Sequence, residues 1–214
     1  MRSNIPALLL ALALLTFGAG CVESGSITPA TDVPTGSLGT QDSSKADTMA
    51  DPMQTWTFQG ELPADKIQNK QVRITTPKGE IVFELLPEVA PITVSNFVYL
   101  TEGGYYDGLT FHRVEKDPMP FVIQGGDPSG DGTGGPGYSI PAEFNSVKHD
   151  RGIVAMARSM DPNSAGSQFY ITIGPAYFLD ENYTVFGRVL EGMEVADQIR
   201  AGDVMTTVVI EDKK

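Results

Sequence analysis

Five apolar runs, each too short to form a core helix, dominate the second half of this chain. They cover residues 110–114, 121–124, 152–157, 168–173 and 184–190, and loops rich in Gly, Pro, Asp and Asn separate them. Runs of this length between such breaks read as strands, and strands without many helices to cover them must close or stack their sheet. Upstream, residues 71–76 and 80–86 alternate on either side of Pro77-Lys78-Gly79, the pattern of a hairpin. Pro91 suits a first helical turn, and Val94, Phe97, Val98 and Thr101 recur at helical spacing until Gly103-Gly104. A second helix is expected over residues 193–201 and a last strand over 204–211. The prediction is a mainly β fold with a closed or nearly closed antiparallel sheet, and the pattern by itself leaves barrel and sandwich open.

The chain before residue 67 follows other rules. Arg2 precedes an apolar run over residues 5–17 that ends in Gly18-Ala19-Gly20, the layout of a secretory signal peptide over residues 1–20. The run is too short and too abruptly ended to read as a spanning helix. Cys21 follows directly and is the single Cys of the sequence. This juxtaposition resembles a prokaryotic lipoprotein signal, which is cut before the Cys so that its thiol carries a diacylglycerol. Gly18 departs from that pattern, where Leu is usual, and the alternative is an ordinary secreted protein with a free thiol. Residues 22–54 turn to Ser, Thr, Gly, Pro, Asp and Ala without any period, so 21–66 is read as an acylated Cys and flexible tether. A globular domain is expected over 67–212, extracytoplasmic and held to the membrane by lipid rather than by its own surface.

Charge and composition remove several functions. Lys and Arg number 15 against 27 Asp and Glu, a formal net charge of −12, which disfavours nonspecific binding to nucleic acid and a polybasic grip on anionic lipid. One Cys and two His build neither an internal disulfide nor a His/Cys zinc site. The loop from Gly130 to Gly137 contains G-x-G-x-x-G, but Pro136 and Pro141 stand where a phosphate-binding helix would have to start. That loop is better read as backbone needing positive φ or close approach by another segment. No G-x-S-x-G occurs, and His112 and His149 lack any local catalytic signature, so both read as structural or surface histidines. What stands out is a set of polar residues inside apolar strands: Arg113 in Phe111-His112-Arg113-Val114, Gln124 after Phe121-Val122-Ile123, and Gln168 before Phe169-Tyr170. Any one of them would be an outward position on a half-exposed strand. Three together, with Phe and Tyr interleaved, point to a groove with apolar walls and a few fixed donors.

Phe111-His112-Arg113, Phe121-Val122-Ile123-Gln124-Gly125-Gly126-Asp127, Gly132-Thr133-Gly134-Gly135, Met156-Ala157, Gly166-Ser167-Gln168-Phe169 and Val185-Phe186-Gly187-Arg188-Val189 occur in the order seen in cyclophilins. The resemblance covers residues 67–212. It implies a closed eight-stranded antiparallel β-barrel capped by two α-helices, and the family's activity, peptidyl-prolyl cis–trans isomerisation. It implies that Arg113 is the catalytic arginine and that Phe121, Val122 and Gln124 fall on pocket and hydrogen-bonding positions. Ala157, Arg158 and Ser159 fall on the strand edge that contacts substrate backbone, and Gln168 and Tyr170 on a further pair. Phe178 and Leu179 match a Trp-Leu or Phe-Leu pair, Tyr183 stands where many members have His, and Gly132 and Thr133 would border a neighbouring specificity pocket.

The expected partners are proline-containing polypeptides among exported or cell-envelope proteins, bound by a monomer with neither metal nor cofactor, since rotation about an amide breaks no bond. The alternative is a low-turnover proline-peptide-binding or chaperone module on the same groove. Residues 114–120 exceed the family's usual spacing, and this excursion is expected to bulge away from the groove.

Overall fold

Alternation decides the first hairpin. β1 (Lys70–Thr76) and β2 (Gly79–Leu85) pair antiparallel from Gln71 opposite Glu84 to Thr76 opposite Gly79, and Val72, Ile74, Ile81 and Phe83 point into the core without exposure. The turn needs Gly79: its φ of +132° is one that side chains rarely adopt, and a Cβ there would lie 2.8 Å from Val195. In this computed structural model the described residues are 55–213, so the expected signal peptide, Cys21 and most of the expected tether lie outside them.

α2 (Pro91–Glu102) follows with Pro at its first position. Ala90 at the N-cap has no side chain that can cap the helix, and the free N–H groups of Ile92 and Thr93 instead donate to the two carboxylate oxygens of Glu143, at 3.0 and 2.7 Å. The helix is buried on several sides, which explains why Ser95, Asn96 and Leu100 are covered along with Val94, Phe97 and Val98. Phe97 sits at the centre of the core, its ring between 4.7 and 5.8 Å from those of Phe83, Tyr106, Phe169 and Phe186. Truncating it to Ala would cost about 3–5 kcal/mol.

The other strands are β3 (Arg113–Glu115), β4 (Val122–Gly125), β5 (Ile153–Met156), β6 (Phe169–Thr172), β7 (Val185–Glu191) and β8 (Thr207–Asp212), each within a few residues of its predicted run. All eight join in one antiparallel sheet in the order β3-β4-β6-β5-β7-β2-β1-β8. The sheet is a curled half-barrel and not the closed barrel expected. β3 and β8 remain edges because β3 is only three residues long, its chain leaving into the 116–120 excursion, while β8 starts at Thr207. Across the gap run loop backbone bonds around the isolated bridge Thr110–Val204, including Phe111 N–H to Asp203 O at 2.9 Å and Met205 N–H to Leu109 O at 2.8 Å.

The two expected helices also need correction. The second, α3, is confined to Met193–Ala196, and a four-residue turn, α1 (Ala64–Ile67), was not foreseen. α3 stops early because the carbonyls beyond it are taken by ammonium groups: Lys78 Nζ reaches Gln198 O at 3.0 Å, and Lys116 Nζ binds the carbonyls of Asp197 and Ile199.

Packing also starts earlier than composition indicates. Trp56, Phe58 and Leu62, within the stretch read as tether, pack against the core, and the Leu62 N–H donates to Ser95 Oγ at 2.9 Å. Isolated aromatic anchors in a segment without period give no signal in the sequence. A second apolar cluster, built on Val122, Ile153, Ala155, Tyr170 and Val185, lies apart from the main core on the other face of the sheet.

Candidate active site

Strand alternation sends Ile123, Val154, Phe169 and Ile171 into the main core and their neighbours to the opposite face. There, cross-strand pairing makes a row: Arg113 lies opposite Gln124, Gln124 opposite Tyr170, and Tyr170 opposite Ala155. Gln168, two residues before Tyr170, projects on the same face and reaches the glycine loop, where its Nε2 donates to the carbonyls of Gly132 at 3.0 Å and Gly134 at 2.9 Å. Carbonyls only accept, so the Gln168 amide has one orientation and its Oε1 must face the other way. That oxygen accepts from Gln124 Nε2 at 2.9 Å, which turns Gln124 Oε1 toward Arg113 Nη1 at 3.2 Å. Arg113 Nε is held in turn by Glu115 Oε1 at 3.0 Å. A directed chain of donors therefore runs from the glycine loop to a guanidinium that is anchored on two sides and remains 49% exposed.

The loop is itself organised by a buried carboxylate. Asp127 accepts from the backbone N–H groups of Ser129, Asp131 and Gly132 at 2.8, 3.0 and 2.5 Å. Gly134 passes so close that a Cβ would lie 2.1 Å from Asp127 Oδ1, which fixes Gly there by close approach.

Beside Arg113, the second apolar cluster forms a cup. Val122 and Tyr170 are its buried floor, and Phe121, Ala157, Leu179 and Tyr183 are its partly buried walls. Tyr183 meets Tyr170 edge-on at 5.9 Å, and Phe178, 73% exposed, extends the wall with its ring 5.1 Å from Phe121. An adjoining cavity of about 530 Å³ is lined by Gln124, Gly132, Thr133, Ala157, Arg158, Ser159 and Gln168 among others. The structure thus brings all the predicted substrate-contacting residues into two neighbouring groups, the cup and the cavity, with Ala157 in both.

Arg158 is a tied residue. Its guanidinium lies 4.7 Å from the Tyr183 ring centre, and its Nε and Nη2 donate to Asn182 O at 3.1 and 2.9 Å while Nη1 donates to Ser159 O at 2.8 Å. The N–H groups of Ala157 and Ser159 are likewise committed, to Gln168 O and Ser164 Oγ. The excursion after β3 is pinned at its start by Lys116, whose Nζ donates to the carbonyls of Asp197 and Ile199 behind α3.

The two histidines are perturbed in the same direction. Burial holds the imidazoles of His112 and His149 below their ordinary pKa, more than nearby carboxylates restore it. Among the described residues, no cluster of His, Cys, Asp or Glu could hold a metal ion, and no helix is long and apolar enough to cross a membrane.

The family model described as cyclophilin type peptidyl-prolyl cis-trans isomerase/CLD matches residues 71–213. The chain belongs to this family. Peptidyl-prolyl cis-trans isomerase B of Bacillus subtilis is 48% identical over 135 residues, spanning 62% of this chain and 92% of the relative. A peptidyl-prolyl cis-trans isomerase of Helicobacter pylori is 42% identical over 165 residues, 75% of this chain and 97% of that one. Among solved structures, a Cryptosporidium parvum cyclophilin type isomerase determined in the presence of the dipeptide Ala-Pro superposes with a TM-score of 0.61 at 34% identity, covering 66% of this chain and 98% of that one. The fold and the activity expected from the resemblance are those of a cyclophilin, a peptidyl-prolyl cis–trans isomerase.

Some participants in this cyclophilin's site were not singled out from sequence. Glu115 anchors Arg113, and the two-residue spacing along β3 already places both on one face. Asp127 closes one of the family motifs without a role assigned to it there, and Asp180 gave no signal because its partner His149 lies far away in the chain.

Proposed function

We propose that this cyclophilin isomerises Xaa-Pro bonds with Arg113 as its catalytic residue, and that it serves exported or cell-envelope polypeptides as a lipid-anchored enzyme. The observation that supports the first part is the directed chain Gln168–Gln124–Arg113, which holds a guanidinium beside an apolar cup suited in character to a pyrrolidine ring. The C. parvum relative was determined with Ala-Pro, which supports a proline peptide as occupant here.

Rotation is slow because amide resonance gives the C–N bond double-bond character, with a barrier of roughly 18–20 kcal/mol. As the bond twists, resonance fades and the proline nitrogen gains a lone pair. A guanidinium aimed at that nitrogen favours the twisted state over both planar ones. Phe121, Val122, Tyr170, Leu179 and Tyr183 hold the ring, Phe178 lengthens the wall, and Gln124 with the backbone of residues 157–159 holds the peptide. With the N–H groups of Ala157 and Ser159 committed internally, that backbone contact falls to Arg158 and to the carbonyls. Gly132 and Thr133 border the adjoining cavity, which takes a neighbouring side chain of the substrate. Fixing one side of the bond while the other turns is the catalytic geometry.

The layout of residues 1–21 supports anchoring through Cys21. A protease-coupled isomerisation assay with an Xaa-Pro peptide tests the enzyme: acceleration abolished by Arg113→Ala is expected, and peptide binding without turnover would point instead to a chaperone module. The intact mass of membrane-extracted protein tests the anchor: loss of residues 1–20 with a diacylglycerol adduct is expected, and an unmodified Cys21 would refute it.

A further inference from the structure

The most heavily engaged buried group outside the site just described is His149, which has no exposed surface. All its polar atoms hold the two pieces of chain that shape the cup. Its carbonyl accepts the Ala176 N–H at 2.8 Å, and its own N–H donates to Asp180 Oδ1 at 2.9 Å. Residues 176 and 180 bracket the 3-10 turn Tyr177–Leu179, which carries Phe178 and Leu179 of the wall. The ring completes the bracket, with Nδ1 3.0 Å from the same Asp180 oxygen and Nε2 3.0 Å from the hydroxyl of Tyr170, the floor of the cup.

Elementary hydrogen-bond chemistry fixes every proton. An ionised carboxylate only accepts, so Nδ1 carries the hydrogen of the neutral ring. Nε2 is then bare and accepts, and Tyr170 donates its O–H to it. Asp180 is kept ionised and in place by the His149 N–H and by Lys148, whose Nζ lies 3.2 Å from its other oxygen. The hydroxyl of Tyr170 thus joins floor to wall through one imidazole.

We propose that His149 is a positioning residue for proline binding, locking the Tyr170 floor and the 176–180 wall of the cup in register through an Nδ1–H tautomer. This rests on the reading of the cup as the proline site. A residue that only filled space would need neither a particular tautomer nor a tyrosine opposite it.

The test uses the full-length chain with Tyr170→Phe, which removes one oxygen and keeps the ring, and His149→Asn, which keeps a donor toward Asp180 and loses the acceptor toward Tyr170. Each is expected to raise KM for an Xaa-Pro peptide about fivefold, the size of one buried hydrogen bond, with kcat within twofold. The double variant should be no worse than the worse single one, since both remove the same bond. Nitrogen-15 NMR of the wild type should show His149 protonated on Nδ1 and bare on Nε2. Additive losses, an Nε2–H tautomer, or unchanged KM in Tyr170→Phe would each overturn the assignment. The underlying reading is tested separately by the wild-type rate and its loss in Arg113→Ala, neither of which depends on the tautomer.

Discussion

Replacing Arg113 by Gln removes the charge and keeps most of the reach, and its effect on rate and on stability should separate cleanly. Loss of a donor aimed at charge that develops only in the transition state costs about 3–4 kcal/mol in enclosed sites. Arg113 is about half exposed, so water screens part of its field, and about 2–3 kcal/mol is the better expectation here. At 1.36 kcal/mol per decade this is roughly a 30- to 150-fold fall in kcat/KM. Stability should hardly move, because Arg113 and Glu115 have side chains 49% and 43% exposed, and pairs of that kind contribute less than about 1 kcal/mol. The assay is protease-coupled turnover of an Xaa-Pro peptide at fixed ionic strength, alongside a urea titration. A kcat/KM within threefold of wild type, with folding intact, would show that the guanidinium does not act on the twisting bond.

Gly134→Ala should lower kcat/KM about tenfold and stability by about 2 kcal/mol, because its Cβ would overlap Asp127 Oδ1 and displace a carbonyl that orients Gln168; equal activity would break the proposed chain of orientation. Lys116→Ala should cost about 1 kcal/mol in a urea titration and leave turnover unchanged, since the excursion is fastened behind α3; a lowered rate would place that loop in the groove. Stability should fall as pH drops below the unfolded histidine pKa of 6.5. There the unfolded chain binds protons that the buried His112 and His149 resist. Glu84, Asp180 and Asp203, held below their ordinary pKa values of 4.5, 3.8 and 3.8, add their losses only at lower pH. Urea midpoints unchanged between pH 7 and pH 5 would contradict this.

Strand positions were legible because their signals are local. Alternation and turn residues placed the β1–β2 hairpin to within a residue, and Pro91 with Val94, Phe97 and Val98 placed α2. Closure of the sheet was not legible, because the gap between β3 and β8 is spanned by backbone bonds of residues 109–111 with 203–205, far apart in the chain, just as Lys116 reaches the carbonyls of Asp197 and Ile199. The same long-range carbonyl capture shortened α3. In the site, residues carried by contiguous motifs, such as Arg113, Gln124 and Gln168, were found at once. His149 was read as structural, which fits its burial, yet its link to Tyr170 and Asp180 needs the fold to bring three distant segments together.

The family match begins at residue 71, but the packed body does not. Trp56 rests so closely on Gly103 that a Cβ would lie 2.5 Å from the indole, and its ring meets Tyr99 and Tyr105 edge-on at 5.8 and 5.2 Å. Phe58 stacks on Tyr138, which lines the cavity beside the cup. A recombinant fragment trimmed to the family boundary would strip this aromatic clasp from α2 and from the back of that cavity. Such a fragment would leave bare the ring surfaces of Tyr99, Tyr105 and Tyr138 that Trp56 and Phe58 now cover.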